Sequence, residues 1–101
     1  MRMLVTVTIP MEPFNSMVRD GSVGAIIGKI VEDTQPESIN FTDVNGHRAA
    51  VMIVDLPNAS LIPSIAEPWF LKFNAKCEFK VVMSPDDLMN AGLDKLGEKW
   101  N

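Results

Sequence analysis

The stretch NGHRAAVMIVDL, residues 45 to 56, constrains the fold of this chain more than any other segment. Asn45-Gly46 favours a two-residue hairpin loop, because the type I′ turn needs a positive φ at both of its central residues. The strand after the loop, about residues 47 to 55, contains the run AAVMIV and is apolar on both of its faces. Something must therefore cover each side of the sheet to which this strand belongs.

Alternation of apolar and polar residues predicts three further strands, and helical spacing of apolar residues predicts the segments between them. We place the strands at about residues 2–9, 37–43, 47–55 and 76–83, and the helical regions between Phe14 and Gln35, over about 60–74 and over about 85–96. The order β-α-β-β-α-β with a tail helix is that of the ferredoxin-like α+β fold, whose four-stranded sheet has the order 4-1-3-2. Strands 1 and 3 are the more apolar pair, as expected for the central strands of such a sheet.

The hairpin loop also predicts the register of strands 2 and 3. With two loop residues, Val44 faces His47 and Asp43 faces Arg48, and an odd loop length would exchange the two faces of the strand. We expect Asp43 and Arg48 to form a cross-strand ion pair.

Proline and serine positions give expectations for the helix over residues 60–74. Ser60 is the expected N-cap, which would put Pro63 in the first turn, where a missing N–H is tolerated. Pro68 lies in the interior, and we expect it to kink or break the helix.

Composition limits the classes of function. The chain of 101 residues is 47% hydrophobic and 22% charged, typical of one domain at residues 1–101, with a core at 1–83 and a helical tail at 84–101. The net charge is −4 and the nine Lys and Arg residues are scattered, which argues against nucleic acid and membrane partners. Cys77 is the only cysteine and no long apolar leader is present, so we expect a cytoplasmic protein.

Both helices of this fold pack on one face of the sheet, so the two-faced strand 3 implies a cover for the other face. A second copy of the chain is the simplest cover, in an isologous homodimer whose two sheets face each other. The tail helix is the alternative, as a lid within one chain.

The βαββαβ order, the apolar third strand that ends in Asp55 and the C-terminal segment CEFKVVMSPDDL resemble the dimeric α/β-barrel superfamily. The longer segment IPSIAEPWFLKFNAKCEFKVVMSPDDL is similar to small bacterial proteins of unknown function. This resemblance covers nearly the whole chain and implies a homodimer whose sheets enclose a barrel. The superfamily includes cofactor-independent monooxygenases, muconolactone isomerases and haem-degrading enzymes, so the fold alone does not select an activity.

The cavity of such a barrel would be lined by the face of the sheet that carries the even-numbered residues of strand 1. The polar residues predicted on this face are Thr6, Thr8, Asn40, Thr42, Glu78 and, at its end, His47. They surround an apolar floor of Leu4, Ala49, Val51 and Ile53, and strand 4 adds Lys80 and Val82. An apolar floor with a few polar groups is typical of small-molecule sites. The alternative is a partly wet dimer interface, in which the charges of an edge strand deter aggregation.

His47 is the only histidine, and its place beside the turn is typical of an exposed hairpin tip. Asn40, His47 and Trp69 are the residue types used by the haem-degrading members of the superfamily, so the resemblance adds Trp69 to the candidate ligand-binding residues. Trp69 is alternatively a core or interface aromatic. We expect Cys77, which alternates with apolar residues, in the core. One histidine and one cysteine cannot supply a zinc site, and no nucleotide-binding glycine motif occurs, so we expect neither a metal nor a cofactor.

Three functions follow from these patterns. The first is a homodimer that binds a small, partly apolar molecule between its sheets. The second is a cofactor-independent monooxygenase or isomerase that holds its substrate near Asn40, Thr6 and Glu78. The third is a structural or regulatory module with a filled interior and no ligand.

Overall fold

A computed structural model describes all of residues 1–101. Its strands are β1 (Arg2–Ile9), β2 (Ser38–Val44), β3 (His47–Asp55) and β4 (Lys76–Val81). Its helices are α1 (Phe14–Asp20), α2 (Val23–Thr34), α3 (Ile62–Phe73), α4 (Pro85–Met89) and α5 (Leu93–Lys99), with a 3-10 turn at Ala59–Leu61. The antiparallel sheet has the order β2-β3-β1-β4, which is the predicted order 4-1-3-2 counted from the other edge. The ferredoxin-like α+β fold is therefore confirmed.

The β2–β3 hairpin has the predicted two-residue loop and register. Asn45 and Gly46 have φ values of 51° and 79°, as the type I′ turn requires. Val44 pairs with His47 and Asp43 pairs with Arg48. This register fixes which side chains of β3 face the helices and which face away from them.

The core lies between the sheet and the helices. Strand β1 alternates strictly, so that its odd-numbered side chains from Met3 to Ile9 are buried and its even-numbered ones are not. Trp69 and Phe73 of α3 are fully buried against this face of the sheet, with ring centroids 5.8 Å apart. Each large apolar side chain that is buried in this way stabilises the fold by about 1.5–3 kcal/mol.

Helix α3 differs from expectation in its start and in its interior. It begins at Ile62, and the residue that caps the preceding 3-10 turn is Asn58, whose side chain accepts from the backbone N–H of Ser60. The helix continues through Pro68 without a break. The carbonyl that Pro68 leaves without a donor belongs to Ser64, which is exposed, so water can replace the missing hydrogen bond.

None of the helices has both the length and the apolar character that a membrane-spanning helix requires.

The tail forms two short helices where the sequence predicts one. The residue pair Ser84 and Asp87 forms a capping box that starts α4. Gly92, with φ of 72°, separates α4 from α5. Neither α4 nor α5 has a buried residue. The longest dimension of the chain is 61 Å and its radius of gyration is 17.3 Å, against about 13 Å for a compact domain of 100 residues. The tail therefore does not form a lid over the open face of the sheet.

Candidate functional site

The face of the sheet that points away from the helices, which we call the open face, is organised in rows that cross all four strands. The strand pairings define three rows, each read from β2 to β4: Ser38, Ile53, Leu4, Lys80; Asn40, Val51, Thr6, Glu78; and Thr42, Ala49, Thr8, Lys76. His47 lies beyond the last row, opposite Val44. Six of the seven residues predicted to bind a ligand therefore share this face: Thr6, Thr8, Asn40, Thr42, His47 and Glu78.

The centre of the open face is apolar and its two edges are polar. Leu4, Val51 and Ile53 on the central strands are half-buried, and they belong neither to the core between the sheet and the helices nor to the residues packed against it. Ala49 is buried in the same face because larger side chains flank it. The β2 edge carries hydroxyl and amide groups, whereas the β4 edge carries the charges of Lys76, Glu78 and Lys80. The open face is thus an apolar stripe between a neutral polar edge and a charged edge.

A polar cleft of about 350 Å³ lies at the His47 end of the open face. Its polar residues are Thr8, Asn45, His47, Asn74 and Lys76. Asn45 and Asn74 both have left-handed backbone conformations, one in the hairpin turn and the other at the end of α3. No carboxylate lines this cleft, so its hydroxyl, amide and ammonium groups suit an anionic or carbonyl oxygen of a ligand.

The side chain of His47 makes no hydrogen bond to another protein group. A histidine that acts as a general base needs a second group to orient its ring, and the open face supplies none. Lys76 and Asn74 were not among the predicted site residues, although the alternation of Glu78 and Lys80 leads to Lys76 when it is continued back by two residues.

Trp69 does not belong to this site, and its assignment as a cavity-lining residue is wrong. It lies on the opposite side of the sheet, fully buried, and forms one apolar face of α3 with Ile65 and Phe73 at intervals of four residues. Its Nε1–H has no hydrogen-bond acceptor. Asn40, His47 and Trp69 therefore do not converge.

Cys77 lies on the helix side of β4, where it packs against the core. Burial raises the pKa of its thiol from 9.0 to about 11. A thiol in this state is a weak nucleophile at neutral pH, so Cys77 is a structural residue.

We expect the folded protein to react slowly with iodoacetamide at pH 8. The rise in the pKa of Cys77 from 9.0 to about 11 lowers the thiolate fraction about a hundredfold, and the greater nucleophilicity of a more basic thiolate recovers about tenfold. Alkylation should be about tenfold slower in the folded protein than in the chain unfolded by urea. Intact-mass spectrometry follows the reaction at this single cysteine, and equal rates in the two states would contradict the burial of the thiol.

Comparison with known proteins gives no assignment of function. No protein-family model matches the chain, and no curated protein matches it. Among solved structures, the chain is similar to a de novo designed protein, Ferredog-Diesel, with 11% sequence identity and a TM-score of 0.43 over 79% of this chain and 83% of that one. Function must therefore be inferred from the open face itself.

Proposed function

We propose that this protein is a homodimer of the dimeric α/β-barrel type that binds a small, partly apolar molecule between the open faces of its two sheets. The observation that carries the proposal is the apolar stripe of Leu4, Val51 and Ile53, which the chain itself leaves uncovered. Contact with a second surface that removes these half-buried aliphatic side chains from water is favourable.

We also propose that the protein is cytoplasmic, because Cys77 has no partner for a disulfide.

A second copy of the chain suits the open face, because an apolar centre between polar edges is complementary to another copy of itself. Its apolar centre would meet the apolar centre of the copy, while the hydroxyl and amide groups of β2 and the charges of β4 stay at the rim. The exposed apolar residues of the tail offer a further surface to the copy, namely Leu88, Met89, Leu93, Leu96 and Trp100.

The ligand would lie on the apolar stripe with its polar group in the cleft of His47 and Lys76. The cleft volume of about 350 Å³ is within the range of small-molecule sites. Lys76 supplies a positive charge, and Thr8 and the two asparagines supply hydrogen bonds. This arrangement fits a small aromatic or aliphatic molecule with a carboxylate or carbonyl group.

An enzymatic function is the second candidate, because Asn40, Thr6 and Glu78 lie in a single row across the open face. A substrate that lay along this row would meet an amide, a hydroxyl and a carboxylate in turn. Turnover of an activated organic substrate that is unchanged by Asn40→Ala and Glu78→Gln would refute the assignment of these residues to the reaction. A filled interior without any ligand would support a structural module instead.

The proposed homodimer predicts a solution mass of about 22 kDa, twice the chain mass of 11.2 kDa, at low micromolar concentration. Light scattering measures this mass directly. A thermal-shift screen of small aromatic and carboxylate compounds then tests for a ligand, which should raise the melting temperature of the native chain but not that of the His47→Ala, Lys76→Ala double variant. A monomer at tens of micromolar would contradict the barrel.

A further inference from the structure

Arg48 lies on the helix side of β3 and has no acidic partner. None of the three ion pairs in the structure involves it. The expected ion pair with Asp43 does not form, because the Asp43 carboxylate instead accepts the backbone N–H of Gly46 in the hairpin loop, at 3.3 Å. The correct strand register therefore did not guarantee the contact between these two side chains.

The neighbours of the guanidinium group are neutral. Nη1 of Arg48 donates to Oδ1 of Asn15 at 2.7 Å, and Cζ lies 4.5 Å from the ring centroid of Phe14. Both contacts hold the side chain in place, and the ring face adds a cation–π attraction. A guanidinium has five N–H donors in a fixed planar fork, so most of its hydrogen-bonding capacity remains open. Arg48 is itself only partly exposed, so its charge is partly withdrawn from water without a counter-charge.

Arg48 lines an apolar cleft of about 380 Å³ between the first two helices and the sheet, and its guanidinium group lies over Phe14, which also lines the cleft. Ile9, Phe14 and Ile27 line the cleft, and Phe41 of β2 lies at its edge with 56% of its surface exposed. Arg48 is the only charged residue in the lining. An apolar cleft with a single, positioned guanidinium is complementary to a molecule with one negative charge and a short apolar body.

We propose that this cleft binds a small organic carboxylate. The carboxylate accepts two hydrogen bonds from the planar fork of Arg48, and the apolar body lies against Phe14, Ile27 and Phe41. Most of the residues that line the cleft lie on the helix side of the sheet, although Thr42 and Ala49 also line it, and it shares no residue with the cleft of His47 and Lys76. It is therefore a second site, and it exists in one chain whether or not a dimer forms.

Gly24 of α2 lines the cleft, and a Cβ atom at this position would meet no other atom within 4 Å. The fold therefore has room for a side chain at position 24, and we expect a large one to occupy part of the cleft. Replacing glycine inside a helix also favours the helix, so such a variant should fold.

Sodium octanoate is the probe, and two-dimensional NMR of the full chain is the measurement. We expect octanoate to shift the backbone amide of Gly24 and the Nε–H of Arg48, and octanol to bind at least tenfold more weakly. Arg48→Met keeps an unbranched apolar side chain but removes the charge, and it should weaken octanoate binding at least tenfold. Arg19→Met is the matched control, because Arg19 is exposed on α1 and should leave binding unchanged.

Two glycine variants test the location of the site. Gly24→Leu should abolish octanoate binding, whereas Gly28→Leu, one turn further along the same helix and outside the cleft, should not. Equal octanoate affinity after Arg48→Met, equal affinity for octanol, or no shift at millimolar octanoate would each overturn the proposal. A Val51→Lys variant distinguishes this site from the one between the sheets: it removes the latter and should leave octanoate binding in the Arg48 cleft intact.

Discussion

Val51→Lys should convert the proposed homodimer of about 22 kDa into a monomer of 11.2 kDa. Val51 lies at the centre of the open face, where it is paired with Asn40 of β2 on one side and with Thr6 of β1 on the other. In a symmetric dimer the substitution would place two ammonium groups in one apolar interface, and each unpaired buried charge costs several kcal/mol. Association of the two copies should weaken at least a thousandfold, which corresponds to about 4 kcal/mol. Light scattering across a dilution series measures this change in affinity.

Leu71→Lys is the matched control for this experiment. It makes the same kind of change on the helix side of the molecule, where Leu71 is 77% exposed, and it should leave the mass unchanged. A chain that ends at Met83 separates the contributions of the open face and the tail. If that truncated chain is a monomer while Val51→Lys remains a dimer, the tail and not the sheet holds the two copies together, and the proposed barrel is wrong.

The features that sequence predicts well in this chain are those in which one local rule decides the outcome. The Asn45-Gly46 loop needs two residues with positive φ, and that requirement alone sets the hairpin register. Strict alternation in β1 then assigns its even-numbered residues to the open face. The loop therefore predicts that Asn40 faces Val51. The pairings of Thr6 with Val51 and with Glu78, which complete the row, join strands that are far apart in sequence and were not predicted.

The features that sequence predicts poorly depend on competing contacts. Asp43 can accept either from Arg48 or from the backbone of the loop, and the shorter-range backbone partner is the one it takes. Arg48 is then left to Asn15, which is 33 residues away in sequence and so outside the reach of any local pattern. The tail is a similar case: helical spacing of leucines continues across Gly92, but the positive φ of that glycine ends one helix and starts another.

Trp69 had two interpretations from sequence, as a ligand-binding residue and as a core aromatic, because an aromatic side chain suits both. The second interpretation is the correct one. Its place on α3, four residues after Ile65 and four before Phe73, puts it on the buried face of the helix. The side chain is fully buried, and yet its Nε1–H has no acceptor, so part of the stabilisation from burial is offset by an unmade hydrogen bond.

Trp69→Ala should therefore lower the free energy of unfolding by about 3–5 kcal/mol, a large fraction of the 5–15 kcal/mol typical of a small domain. Trp69→Phe should cost much less, about 1 kcal/mol, because it keeps most of the ring contacts and removes the N–H that lacks an acceptor. Urea unfolding followed by circular dichroism at one fixed protein concentration measures both values, with the 77% exposed Trp100→Ala as control. If Trp69→Phe proves as damaging as Trp69→Ala, the indole N–H has a partner in solution, and the tryptophan is held by a hydrogen bond as well as by packing.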